Sequence, residues 1–238
     1  MTTVSPPQTE INAVIALYSN GQIQEALDSV AALIKDYPKE PILYNISGVC
    51  YKAIGRLDVA VESFERALAI KPDYTEVNYN LGLTFQELGQ LDAAIKCYEK
   101  ALAVNPDYTE AHSNLGIAFK ELGQPDAAVE FYEKALTVNP DSAEAHYSLT
   151  IAYNNLGLTF MALGQPNDAI KFFEKALALK PDSAEAHNNI GIAYVHNSLG
   201  LAIHSLGQHE AALKCYKKAL ALKPDYADAY LNLSLIHI

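Results

Sequence analysis

Apolar residues return along the chain at spacings of three and four, without the alternation of a strand. Between residues 73 and 105, Val77, Leu81 and Phe85 mark one face of a helix. Gly89-Gln90 interrupts it, and Asp92 reopens a second helix through Ala94, Ile95, Tyr98, Ala101 and Leu102. Pro106 ends that second helix, because its ring clashes with the preceding turn and it has no N–H to donate. Asp73 is expected as the cap of the first helix, with Glu76 in the first turn, where the helix dipole favours an acid. The segment reads as a helical hairpin, and the whole chain as all-α.

The hairpin is written repeatedly. Prolines stand at Pro38, Pro72, Pro106, Pro140, Pro181 and Pro224, with first gaps of 34 residues and then gaps of 41 and 43. Seventeen residues before each lies a glycine: Gly21, Gly55, Gly89, Gly123, Gly164 and Gly207. Five residues after each glycine comes Ala26, Ala60, Ala94, Ala128, Ala169 or Ala212, and nine after it Val30, Phe64, Tyr98, Tyr132, Phe173 or Tyr216. Four residues before it sits Leu17, Tyr51, Phe85, Phe119, Phe160 or Ile203. The glycines are expected to serve turns and close packing. Gly82 and Ala94 let two backbones approach, and Phe85 and Tyr98 fill the space beside them.

This pattern, Leu81-Gly82-x-x-Phe85, Gly89, Ala94, Tyr98, Ala101 and Pro106 in a 34-residue unit, resembles the tetratricopeptide repeat. The resemblance implies a right-handed α-solenoid of stacked helix–turn–helix units, similar to the superhelical array of O-linked N-acetylglucosamine transferase, with the first helix of every unit lining a concave groove. Six full units and the first helix of a seventh cover residues 11–232, after an N-terminal tail of residues 1–10. The first unit departs most, with Ala13-Val14 for Leu-Gly and Val30 for the aromatic, as befits a capping repeat whose outer face meets water.

Two units are overlong. After Pro140 the first-helix signature is written twice, Ala145–Tyr153 and Asn154–Phe160, offset by seven residues. After Pro181 it recurs as Ala186–Tyr194 and Val195–Ile203, offset by nine. Seven residues turn roughly 700°, so both copies share one face and the helix gains ~10 Å. Nine turn roughly 900°, which puts the second copy on the opposite face. A continuous helix is therefore expected near 142–163, a lengthened one near 183–206, and a kink, bulge or break around Tyr194–Asn197. The extra turns read as a ledge for a partner, as a tolerated partial duplication, or as joins between near-identical repeats. The last residues, Leu233-Ser-Leu-Ile-His-Ile238, resemble the in-frame translation of a sequencing adapter, so residues 233–238 are expected to lie outside the array.

Charge narrows the function. Lys and Arg number 17 against 28 Asp and Glu, a net of −11, and a nucleic-acid partner needs clustered basic groups instead. No apolar run approaches a membrane span, and Met1-Thr-Thr-Val-Ser-Pro-Pro lacks the makings of a signal peptide, so the expected location is cytoplasmic. Cys50, Cys97 and Cys215 are widely separated and read as reduced packing residues. His112, His146 and His187 recur six residues after a proline, on successive helices too far apart to share a zinc ion. Glu76, Glu110, Glu144 and Glu185 likewise recur at one position, a ladder instead of a catalytic pair. No phosphate loop, nucleophile elbow or dinucleotide fingerprint occurs, so neither enzyme chemistry nor a cofactor is expected.

What recurs on the first helices is asparagine: Asn80, Asn114 and Asn189 eight residues after a proline, with Asn155 in the same place counting back from Gly164. Asparagine is a mediocre helix former, and its amide can hydrogen-bond an extended peptide without reading its side chains. By resemblance to the asparagine ladder of tetratricopeptide superhelices, these four are the expected peptide contacts. Tyr79, Lys120 and Tyr147 stand beside them. Ile46 and Ser198 leave gaps in the ladder, and the competing reading is that Asn only bridges neighbouring repeats. The carboxylate clamp that some family members use for heat-shock chaperone tails is disfavoured, since Glu110 and Glu144 stand where lysine belongs. The function expected is a non-enzymatic scaffold that binds a peptide or partner segment. Its alternatives are the recruiting arm of a larger glycosyl- or sulfotransferase-type enzyme, and self-association through Tyr230, Leu231 and Leu233 of the last helix.

Overall fold

The computed structural model describes residues 5–200 and 206–236, and among these there is no strand. The chain forms two compact units, Met1–Leu122 and Gly123–Ile238. The first holds α1 (Gln8–Ser19), α2 (Ile23–Asp36), α3 (Pro41–Ala53), α4 (Leu57–Ile70), α5 (Thr75–Glu87), α6 (Leu91–Val104) and α7 (Thr109–Glu121). The second holds α8 (Pro125–Val138), α9 (Ala143–Ala162), α10 (Pro166–Leu179), α11 (Ala184–Gly200), α12 (Leu206–Leu222) and α13 (Ala227–Ile236). Within each unit every helix packs on its neighbours in sequence, and the first helices of successive hairpins also touch: α1, α3, α5 and α7 in one unit, α9, α11 and α13 in the other. Both are stacks of helical hairpins, an all-α repeat solenoid fold.

The hairpins close on a ring laid against bare backbone. A Cβ placed on Gly82 would lie 2.5 Å from the ring of Tyr98, one on Gly48 2.5 Å from Phe64, and one on Gly191 2.5 Å from Tyr216. Gly157 and Phe173 form the same pair. The alanines of the repeat, Ala60, Ala94, Ala169 and Ala212 among them, are fully buried where the second helix crosses its neighbours. Between the paired helices Gly89 adopts φ +73°, the left-handed region that a side chain disfavours. Its N–H donates to the Gln86 carbonyl at 2.9 Å and that of Gln90 to Phe85 at 2.8 Å, which closes the end of α5.

The start of each first helix is fastened differently from expectation. Tyr74, not Asp73, precedes α5, and its carbonyl accepts the N–H groups of Val77 and Asn78 at 3.2 and 3.0 Å. Asp73 lies one residue too early to reach the first-turn amides. Where serine holds that place it does cap: Ser142 Oγ accepts from Ala145 N, and Ser183 Oγ from Ala186 N, both at 3.3 Å. A second fastening recurs six residues after five of the six repeat prolines, where a side chain donates back to the prolyl carbonyl. The donors are Tyr44 Oη to Pro38 (3.0 Å), Asn78 Nδ2 to Pro72 (3.2 Å), His112 Nε2 to Pro106 (2.8 Å), His146 Nε2 to Pro140 (2.8 Å) and His187 Nε2 to Pro181 (3.1 Å). A carbonyl only accepts, so each histidine carries its proton on Nε2. The histidine column is thus a hinge pin of the fold.

Three further expectations are corrected. α1 begins at Gln8, inside the presumed tail, because Pro7 sets the entry angle directly before it. Gly207 lies in the first turn of α12 instead of preceding it as the other turn glycines do. The expected break at Tyr194–Asn197 is absent, since α11 continues to Gly200. The first copy of the signature packs as in the other repeats: Gly191 meets Tyr216, and Ala186, Ile190 and Ala193 are buried. Residues 201–205, which end the second copy, lie outside the described residues. In α9 the seven-residue slip keeps phase, and Ala145, Leu149, Ala152, Tyr153, Leu156 and Gly157 form one buried stripe along an unbroken helix of 20 residues.

Gly82→Ala is expected to destabilise the protein by about 1–3 kcal/mol in urea unfolding, because the rigid Tyr98 ring has no room to retreat. His187 gives a pH signature. Its burial holds the imidazole below the ordinary value of 6.5, helped by Lys218 and opposed by the bond to Pro181. The unfolded chain then binds the proton more readily, so stability falls as pH drops below about 6.5 until the folded-state pKa is passed. Melting curves at about pH 7.5 and pH 5.5 should show a smaller acid loss for His187→Asn, whose amide can still donate to Pro181 as that of Asn78 does to Pro72.

Candidate functional site

Side chains on the first helices form a row of part-buried polar bonds that step from repeat to repeat. Asn80 Nδ2 donates to Asn45 Oδ1 at 3.1 Å, and Asn114 Nδ2 to Tyr79 Oη at 2.9 Å. Asn189 Nδ2 donates to Asn154 Oδ1 at 2.9 Å, and Asn232 Nδ2 to Asn188 Oδ1 at 3.3 Å. In each case the asparagine reaches the residue one place ahead of its own counterpart in the preceding hairpin, a 35-residue step where the unit is regular. A parallel row near the other end of α3, α5 and α7 joins Lys52 to Glu87 at 2.5 Å and Gln86 to Glu121 at 3.4 Å. The recurrent asparagine therefore bridges repeats. Asn114 spends both amide hydrogens, the second on the Glu110 carbonyl at 2.9 Å, and keeps Oδ1 as an acceptor.

The other expected site residues fall into distinct places. Tyr79 is half-buried, its ring 4.9 Å from that of Tyr108 and 5.8 Å from that of Tyr98, so it is a packing residue as well as a hydrogen-bond partner of Asn114. Lys120 is exposed at the end of α7. Asn154 holds the bridge to Asn189, and its Nδ2 donates to Glu185 Oε1 at 2.9 Å, whereas Asn155 is exposed and stands outside the bridging row. Of the acceptors, Tyr79 is among the expected site residues, whereas Asn45, Asn154 and Asn188 are not, although each is a polar residue one place before the asparagine column. On α13, Tyr230 and Leu231 are exposed while Leu233 is half-buried, because it lies one turn beyond the buried Ala229 on the same side.

In the second unit the face is hollowed. Tyr147, Ile151, Asn154, Lys180, Ser183 and Glu185 line a surface pocket of about 380 Å³, and Asn155 also borders it. Tyr147 is 64% exposed and Leu158 is 44% exposed. Tyr147, Ile151, Asn154 and Leu158 follow a helical stripe on α9 opposite its buried one. Elsewhere the chemistry is quiet. Burial pushes the Cys97 thiol up to about 11, against the pull of Lys100, and also raises Cys50 and Cys215, so none of the three is poised as a thiolate. Among the described residues no three His, Cys, Asp or Glu side chains gather as a metal site, and no helix is long and apolar enough to cross a membrane.

Models of the tetratricopeptide repeat family match residues 48–89, 84–123, 109–142 and 147–225. The chain belongs to the tetratricopeptide repeat family. Tetratricopeptide repeats imply a protein–protein interaction scaffold. Among solved structures, YrrB, described as a TPR protein with an unusual peptide-binding site, aligns with a TM-score of 0.61 at 21% identity over 85% of this chain and 96% of its own. The MamA protein aligns with a TM-score of 0.56 at 27% identity over 79% of this chain and 93% of its own. A peroxisomal targeting signal receptor of Candida glabrata is 29% identical over 77 residues, which is 32% of this chain and 13% of the receptor. The tetratricopeptide array thus spans a small part of the curated relative that it matches.

The bridging and non-bridging asparagines should separate in a stability measurement. Asn114→Ala is expected to cost about 1–2 kcal/mol in urea unfolding, as the Tyr79 hydroxyl and the Glu110 carbonyl lose their donor. Asn155→Ala, at an exposed site, should stay within about 0.5 kcal/mol of the parent.

Proposed function

We propose that the chain is a non-enzymatic scaffold that holds a peptide or an extended partner segment against the face of its first helices. The observation that carries this reading is the exposed stripe of α9, where the ring of Tyr147 and the side chain of Leu158 face solvent beside a row of amides. Large apolar groups set among fixed polar ones are the composition of a binding surface. The apolar groups supply the affinity, and the amides orient a backbone. The bridging row determines what those amides offer. Their N–H groups are engaged between repeats, so the oxygen that remains on Asn114 accepts from a partner's N–H. The targeting signal receptor that matches over 77 residues is by its description a receptor for a signal, which supports recognition as the role of such an array.

Panning a displayed library of random dodecamer peptides against the full chain is expected to enrich binders, whose affinities are then read by fluorescence anisotropy. Tyr147→Ala should weaken them about tenfold with the melting temperature unchanged, the loss typical of a central aromatic anchor. A library that yields no binder, or binders indifferent to Tyr147, overturns the proposal.

A further inference from the structure

We propose that the seven extra residues of α9 build a docking notch for an arginine- or lysine-bearing segment of a partner protein, an inference that rests on the binding face proposed above. The notch follows from register. Asn189 is bonded to Asn154, so five residues back along each helix the first residue of α11, Ala184, stands level with Leu149. Residues 143–148 of α9 therefore overhang the start of α11 by roughly 9 Å, at ~1.5 Å per residue. The regular first helices α3, α5 and α7 are 13 residues long against the 20 of α9. Beneath the overhang lie the end of α10 at Lys180, the turn to Ser183 and the first turn of α11 at Glu185, which are the floor of the pocket that Tyr147 and Ile151 wall.

Both ends of the lengthened helix keep the fastenings of an ordinary repeat. His146 still donates to Pro140, and Gly157 still receives the Phe173 ring. The insertion is thus spliced between two standard ends and changes the solvent face without disturbing the buried one. It brings in Tyr147, Thr150 and Ile151, and all three line the pocket.

Charge selects the occupant. Glu185 lines the notch with one carboxylate oxygen held by Asn154 and the other left to accept. Glu144, three residues before Tyr147, and Asp182, in the turn below, are exposed beside it. Lys180 is the only cation in the lining, and no ion pair joins it to Glu185 within 4.0 Å. A guanidinium or ammonium group stacked on the open face of Tyr147 gains from the ring and from this acidic surround, in a chain of net charge −11.

The test begins with the peptides enriched on the full chain. Deleting residues 147–153 joins His146 to Asn154-Asn155-Leu156-Gly157, restores a 34-residue unit resembling Ala111-His112-Ser113-Asn114-Leu115-Gly116, and removes the overhang with little change of helical phase. The enriched peptides are expected to share an arginine or lysine whose replacement by alanine weakens binding about tenfold. Affinity should fall as salt is raised, Glu185→Gln should weaken binding severalfold, and the deletion variant should melt cooperatively yet fail to bind. Should the deletion variant not fold, Glu185→Gln and the salt series decide. Peptides that bind but lack a shared cation, prefer acids, or bind the folded deletion variant equally well overturn this inference and leave the binding face standing. Failure to enrich any peptide overturns both.

Discussion

A planar ring can lie flat on a helix only where that helix lacks a Cβ, and this contact is the constraint on which each hairpin depends. Phe64 on Gly48, Tyr98 on Gly82, Phe173 on Gly157 and Tyr216 on Gly191 bring the paired helices together at one fixed point. The fully buried alanines then have only one way to meet their neighbours. The first hairpin shows the rule by its exception. Val14 occupies the glycine position and Val30 the ring position, both buried in one core cluster, so a side chain gained on one helix is matched by a smaller one on the other.

Once one side of each first helix is set by the ring contact, part-buried polar bonds organise another, where Tyr79 also packs on Tyr98 and Tyr108. The bonds from Asn80 to Asn45 and from Asn114 to Tyr79 link hairpins that the apolar core already stacks, so they align successive helices without having to hold them together. The prolyl fastening acts at the other junction, between one hairpin's second helix and the next hairpin's first. Tyrosine, asparagine and histidine serve it equally because each presents a donor at the right reach. That interchange explains why the position looks variable in sequence although its task is constant.

Most of the fold was legible because it rests on spacing. The proline, glycine, alanine and aromatic columns each announce a helix end, a turn or a close contact, and the structure places them so. What spacing could not show was three-dimensional register. Asp73 was expected to cap α5 because residue type outranked position, and one residue's displacement gave the place to Tyr74. The bond from Asn189 goes to Asn154, one place before Asn155, since an inter-repeat contact runs diagonally between helices and steps 35 residues instead of 34. The predicted break in α11 came from counting turns alone, and the helix runs unbroken from Ala184 to Gly200.

The difference between the two overlong helices has a consequence for how such a chain can grow. An addition close to a whole number of turns keeps phase with the core: α9 carries seven extra residues, its buried stripe runs on through Leu149, Ala152 and Leu156, and Gly157 still receives the Phe173 ring. An addition of nine residues turns a helix through roughly two and a half turns and so cannot repeat the buried face in phase. The helical pitch therefore works as a filter on insertions. It admits additions in quanta of about two turns, and in α9 these lengthen the buried stripe by Leu149, Ala152 and Tyr153 while setting Tyr147 on the solvent side.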